Sequence, residues 1–262
     1  MLGIHLIALG NIESLREGGV LTIRFNRAEK LNAWSSAFVD ELSAELRGAA
    51  EDEQVRVVVL TAQGKAFSVG GDLNEFISST PDQVAAFNKK VIALFSLMES
   101  VRKPIVASVN GFCNLETIQA CDYVVAARSA KFGLPEVNVG ISPGAGILVR
   151  LPRLIGRLAA KEIAFFGEWI SAERACELGV VNRVVDDDKL QDATREVASK
   201  LAEKPPLTLG AIKAVINKSW GMELDGAMEY QLRENISLFY TEDLKEGIRA
   251  FLEKRKPAFK GR

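Results

Sequence analysis

Residues 109–117 read VNGFCNLET, where an apolar run ends, a glycine punctuates the chain and a carboxylate stands at the start of a helix. Pro104 to Val109 is strand-like, Gly111 breaks it, and Glu116 falls where the first helical turn begins. A strand feeding a helix through a tight turn is an α/β unit. Its helix N-terminus is also a place where backbone N–H groups point outward. A glutamate there is stabilised by the helix dipole whether or not it does chemistry, so the position alone leaves Glu116 either decorative or catalytic.

The pattern extends outward from this unit in both directions. Gly19 to Phe25 alternates and is rich in β-branched residues, which predicts a strand. Apolar Phe38, Val39, Leu42, Leu46 and Ala49 recur at helical spacing across Ser35 to Ala50, with Ser35 or Ser36 as N-cap. Val55 to Thr61 reads as a buried strand, Pro81 to Met98 as a helix and Ile105 to Val109 as a strand. Glu116 to Ala120 reads as a short helix and Tyr123 to Ala126 as a strand. Phe132 to Gly146 reads as loop with a short strand, Ala159 to Phe166 and Ala172 to Leu178 as helices, and Val180 to Val185 as a strand. Beyond Lys204-Pro205-Pro206 the chain reads as helical to its end. Strands alternating with helices predict α/β architecture over residues 1–203, with a helical region over 204–262.

Composition narrows the function classes. With 262 residues, 48% hydrophobic and 26% charged, the chain can bury a sizeable core. Its formal net charge of −1 provides no global positive field for nucleic acid or anionic lipid. Cys113, Cys121 and Cys176 form no CxxC pair, which suits a reducing compartment without a disulfide framework or zinc knuckle. His5 is the single histidine, expected at the surface. A multi-histidine metal site is thereby excluded, and a Ser-His-Asp or Cys-His site would depend on that one residue. Met1 to Leu9 is apolar but lacks a basic leader, and no run approaches the roughly 18 apolar residues of a membrane span. The expected location is the cytoplasm.

Neither GxGxxG after a strand nor GxxxxGK[ST] occurs, so the common phosphate cradles are absent. Three glycine-bearing turns remain: Phe67 to Asp72, the opening stretch, and Phe132 to Glu136 running into Ile141 to Gly146. Glycines permit the backbone conformations that aim N–H groups outward, although a plain tight turn is the simpler reading of each. Glu116 and Glu136 lie 20 residues apart across one strand, close enough in sequence for the fold to bring both to one pocket. Two carboxyls serve as acid and base only where their surroundings drive their pKa values apart, which spacing alone does not show.

The order of motifs resembles the enoyl-CoA hydratase/isomerase family, the crotonase superfamily. The matching residues are Asn26-Arg27 with Asn32-Ala33, Phe67-x-x-Gly70-Gly71-Asp72, Lys103 to Ala107 with Val109-Asn110-Gly111, and Cys121-Asp122. They continue through Phe132-Gly133-x-Pro135-Glu136, Pro143 to Gly146 with Arg150 to Arg153, Ala172 to Val181, and the ending Phe251-x-x-Lys254-Arg255-x-Pro257-x-Phe259. Each is weak alone; the ordered set over roughly residues 20–260 is specific.

The resemblance implies a crotonase-like spiral of ββα units whose C-terminal helices pack in a homotrimer, often paired into a hexamer. It implies an acyl-CoA substrate, hydration across the 2,3 double bond, and no metal or redox cofactor, coenzyme A being part of the substrate. Glu116 matches the family's water-activating glutamate and Glu136 the one supplying the α-carbon proton. Gly71 matches one oxyanion donor. Lys30, Ser68, Gly70, Asp72, Leu73 and Lys254 match positions toward coenzyme A.

Two departures stand out. Gly111 to Glu116 is three residues shorter than the family pattern and lacks its run of glycines, so the second oxyanion donor, counted back from Glu116, falls on Cys113. Three readings stay open: residues are missing from the sequence here, the turn is truly shorter with Cys113 or Asn114 donating, or the site belongs to a silent acyl-CoA-binding relative. Ile147-Leu148-Val149 replaces a more polar stretch, as either ordinary helix core or a greasier acyl pocket for a branched, cyclic or aromatic group. An isomerase, a thioester hydrolase and a C–C lyase of the same superfamily are the alternatives, since fold does not fix reaction.

Overall fold

A computed structural model describes residues 5–262. An N-terminal hairpin, β1 (His5–Leu9) and β2 (Ile12–Glu17), leads into β3 (Val20–Phe25). Then follow α1 (Ser36–Glu51), β4 (Val57–Ala62), β5 (Ala66–Ser68), α2 (Leu73–Ile77) and α3 (Pro81–Ser100). The next turn of chain is β6 (Ile105–Val109), β7 (Phe112–Asn114), a 3-10 turn Leu115–Ile118 and β8 (Tyr123–Ala127). After β9 (Lys131–Gly133) and a 3-10 turn Pro135–Val139 come α4 (Ile147–Ile155), α5 (Arg157–Phe166), β10 (Ile170–Ser171) and α6 (Ala172–Glu177). The chain closes with β11 (Arg183–Val185), α7 (Leu190–Ala202), α8 (Pro206–Ser219), α9 (Leu224–Leu238) and α10 (Glu242–Leu252). The expectation for His5 concerns a side chain outside the described residues.

The strands form two sheets. One runs β1-β2-β3-β4-β6-β8-β11, antiparallel in its first three strands and parallel from β3 onward; the other runs β10-β9-β7-β5. From β4 to β9 each turn of chain contributes a longer strand to the first sheet, a three-residue strand to the second, then a helix or 3-10 turn. That is the expected spiral of ββα units, seen in β4-β5-α3 and again in β6-β7 with its 3-10 turn. β6 is buried along its whole length and β4 along all but its last residue, as parallel strands covered on both faces must be.

Local chemistry starts the helices where they are needed. Ser35 Oγ accepts the Phe38 N–H and caps α1. Thr80 and Gln83 form a reciprocal capping box at α3, with Pro81 in the first turn. Phe25, Trp34, Phe38, Phe67 and Phe95 meet in one aromatic cluster with mostly edge or tilted contacts. The C-terminal helices are tied to the core. Lys213 of α8, 7% exposed, pairs with Asp122 at 2.7 Å, and Arg56 donates to the carbonyl of Phe259.

The structure adds elements that the sequence pattern did not reveal: β1, β2, α2, α4, α7 and the short strands β5, β7 and β10. Glu116 sits in a 3-10 turn rather than an α-helix. No helix among the described residues is long and apolar enough to cross a membrane.

Candidate active site

One cavity of about 410 Å³ opens between the β5–α2 turn, α3 and the two 3-10 turns that carry the glutamates. Glu116 and Glu136 both line it, and they are its only ionisable groups among the described residues. Much of the remaining wall is apolar: Trp34, Phe76, Val84, Phe87, Val91 and Phe95.

Each glutamate is half-buried, with one buried oxygen lacking a hydrogen-bond partner among the described residues, Oε1 of Glu116 and Oε2 of Glu136. Burial, then the negative charge of Glu136, push Glu116 up to about 7; the Gly144 N–H works weakly against them. Burial also raises Glu136, but a hydrogen bond from Asn114 opposes it. That bond runs 2.6 Å from Asn114 Nδ2 to Glu136 Oε1. Two carboxyls with different surroundings in one apolar cavity can carry a proton and accept one at neutral pH.

The β5–α2 turn supplies a donor. Gly70 takes φ +92°, a backbone conformation that favours glycine. The Gly70 carbonyl accepts from Trp34 and the Asp72 N–H donates to Trp34, so the turn is braced on both sides of Gly71. The Gly71 N–H itself has no acceptor among the described residues, and Gly71 lines the cavity.

Of the expected site residues, Glu116, Glu136, Gly70, Gly71 and Leu73 line the cavity. Three expectations are corrected. Cys113 lies inside β7, fully buried and paired with β5 and β9, so it does not face the cavity; its neighbour Asn114 does. Ser68 is also fully buried, and its hydroxyl donates to the carbonyl of Asn32. Asp72 caps α2 and pairs with Arg27 at 3.2 Å, so its carboxylate braces the turn rather than meeting a ligand. Burial pushes the Cys113 thiol up to about 12, leaving it inert at neutral pH.

Lys30 is exposed beside Leu31, whose carbonyl accepts from Val69 at the cavity edge, and Lys254 is exposed just beyond α10; neither lines the cavity. Of the two readings of Ile147-Leu148-Val149, the greasier acyl pocket fails. Ile147 is core, Leu148 and Val149 are exposed, and none lines this cavity. The apolar wall comes instead from α3, whose Phe87, Val91 and Phe95 have the spacing of any core-facing helix stripe. No signal in the sequence separates the two uses. Asn88, likewise in the wall, carried no motif.

The family model for enoyl-CoA hydratase/isomerase matches residues 15–262. The chain is 37% identical over 250 residues to a 2,3-dehydroadipyl-CoA hydratase of Escherichia coli, covering 94% of this chain and 97% of that protein. It is 34% identical over 259 residues to a short-chain-enoyl-CoA hydratase of Clostridium acetobutylicum, covering 97% and 99%. Among solved structures, an enoyl-CoA hydratase of Geobacillus kaustophilus superposes with a TM-score of 0.96 at 31% identity, covering 99% of this chain and all of that one. An enoyl-CoA hydratase subunit from the same organism gives 0.91 at 40% identity, covering 96% and 98%. This chain belongs to the enoyl-CoA hydratase/isomerase family and is an enzyme of the hydratase type, with the crotonase fold.

Proposed function

We propose that the chain hydrates the 2,3 double bond of an acyl-CoA thioester with an uncharged, apolar acyl group, or runs the reverse dehydration, with Glu116 and Glu136 sharing acid and base work. The observation that carries this is the pair of carboxyls, each with a buried, unpartnered oxygen, at one apolar cavity. The Gly71 N–H is the oxyanion donor of this reading, positioned to take charge from the thioester oxygen as the enolate forms; such a donor is worth about 2.7–4 kcal/mol. Hydration of a conjugated thioester needs no metal or redox cofactor. Lys30, exposed at the edge, is the candidate for a coenzyme A phosphate, while Lys254 is a candidate on resemblance alone.

The acyl class follows from charge. Among the described residues no lysine, arginine or histidine lines the cavity, so a second carboxylate at the far end of the acyl chain would be buried without a partner. That argues against a dicarboxylic substrate despite the likeness to a dehydroadipyl-CoA hydratase. A branched, cyclic or aromatic group suits the aromatic wall.

The three unpaired cysteines suit residence in the cytoplasm. Association into a homotrimer or a dimer of trimers is supported by a stripe on α9, where Leu224, Met228, Leu232 and Ile236 repeat every fourth residue and are 46–72% exposed.

The test is a panel of 2-enoyl-CoA thioesters, straight, branched, aromatic and dicarboxylic, followed by loss of the conjugated chromophore. Glu116→Gln and Glu136→Gln should each lower kcat by about 10²–10⁴-fold with binding of saturated acyl-CoA retained. Full activity in both variants refutes the assignment. Binding without turnover of any ester identifies a silent relative, the reading that the shortened, glycine-poor turn favours. Migration of the double bond without hydration identifies an isomerase.

A further inference from the structure

α3 lays one face along the cavity, with Val84, Phe87, Asn88, Val91 and Phe95 at helical spacing. Four of these five are apolar. Asn88 is the exception, in the interior of a 20-residue helix where asparagine is a poor helix former. Local bonding does not account for it. In the same helix Ser96 donates back to the carbonyl of Ile92, and Lys90 donates to Ser36 and Asp40. The half-buried Asn88 amide makes no hydrogen bond among the described residues. The other polar side chains of the wall are accounted for. Thr117 donates to the carbonyl of Asn114, Asn114 donates to Glu136, and Ser142 is exposed to solvent. The Trp34 indole N–H is unpartnered too, but it is buried, with its ring packed on Phe38 and Phe95.

The position of the amide fixes which part of a ligand it meets. A Cβ on Gly144 would come within 3.2 Å of Asn88 Oδ1, and the Gly144 N–H bonds the Glu116 carboxyl. Asn88 therefore stands at Gly144 with Glu116, close to the reacting carbons rather than at the tail of the acyl chain. Solvent can serve the amide while the cavity is open. An acyl chain that fills the cavity displaces that solvent, and a pure hydrocarbon leaves the amide without a partner. A carboxylate in this place would crowd Glu116 and Glu136, where burial already disfavours charge. An uncharged oxygen fits: a hydroxyl can donate to Oδ1 or accept from Nδ2, and a carbonyl can accept from Nδ2.

We propose that Asn88 is a specificity-determining residue: its amide hydrogen-bonds an uncharged oxygen, hydroxyl or carbonyl, on the fourth carbon of the acyl chain, next to the 2,3 double bond. The proposal rests on the hydratase reading above and narrows its acyl group to one that is apolar but for this single oxygen.

The experiment compares 4-hydroxypent-2-enoyl-CoA with 4-methylpent-2-enoyl-CoA, which differ only in a hydroxyl for a methyl group, in wild type, Asn88→Leu and Asn88→Ala. Wild-type kcat/KM should favour the hydroxy ester by about tenfold, and both variants should abolish that preference. A wild type that favours the methyl ester, or a preference that survives both substitutions, overturns the proposal. An equal loss with both esters overturns it as well, since the amide then serves the attacking water or the coenzyme A arm. Should neither variant fold, the wild-type ratio decides. Should no ester turn over, the hydratase reading fails by itself. Calorimetric Kd values of the same two esters then decide for Asn88: tighter binding of the hydroxy ester supports its role, and equal or weaker binding overturns it.

Discussion

The Glu116 carboxyl has the ordinary value of 4.5 in an unfolded chain, and burial pushes it up to about 7 in the folded one. The folded state therefore holds this proton more tightly. Its contribution to stability is fully present below the unfolded value, falls as pH rises from there to about 7, and is absent above. Ionised, the buried group costs roughly 3 kcal/mol. Glu116→Gln should accordingly raise the denaturation midpoint at pH 8 and change it little at pH 4, measured by urea unfolding of wild type and variant. A flat difference across pH would mean that the folded carboxyl ionises normally. A residue kept at this cost has a reason to be there, which is why the activity and stability of the same variant should move in opposite directions. The sequence showed Glu116 and Glu136 as candidates, and a resemblance named their chemistry. It did not show that Asn114 joins them, because that contact spans 22 residues and depends on how two 3-10 turns face each other.

Among the elements, α3 serves two neighbours at once. Val91, Leu94, Phe95 and Met98 are buried, and part of the same surface, with Phe87 and Asn88, forms cavity wall. Phe87→Ala should enlarge the acyl space and shift kcat/KM toward bulkier enoyl groups by about tenfold relative to crotonyl-CoA, as competition between the two esters would show. An unchanged ratio would place the acyl chain elsewhere. Helices with capping signals and a broad apolar stripe were legible in advance, α1 and α3 to within two residues at either end. The three-residue strands β5 and β7 were not, since a period of two cannot be read from three residues. α7 was missed because the side it packs on the sheet is largely small residues, including Ala193, Ala198 and Ala202, which leave no strong apolar stripe. α4 carries Pro152 within it, which argues against a helix when only the sequence is known.

Over the whole molecule, the C-terminal helices present two surfaces of different character. Toward the core, Lys213 meets Asp122, whose carboxylate also accepts the Ile105 N–H at 2.7 Å, while Gly210 packs so closely on Arg102 that a Cβ would come within 2.8 Å of its carbonyl. Away from the core, the α9 stripe is left uncovered by the described residues. Leu232→Glu, 60% exposed in the single chain, should lower the mass seen by sedimentation while leaving the monomer's helical content unchanged. An unaltered mass would refute the proposal that α9 mediates association.

The sequence by itself determined the alternation of strands and helices, the family, and the two glutamates. These are written in local periodicity, capping residues and motifs that each span a few residues. The tertiary structure alone decided which members of those motifs line the cavity. It turned Cys113, Ser68 and Asp72 into the scaffold and brought Asn114 and the α3 aromatics to the cavity. Neighbouring residues in a motif point in different directions, and only the packing of two sheets against a helix fixes which direction is the inside of the site.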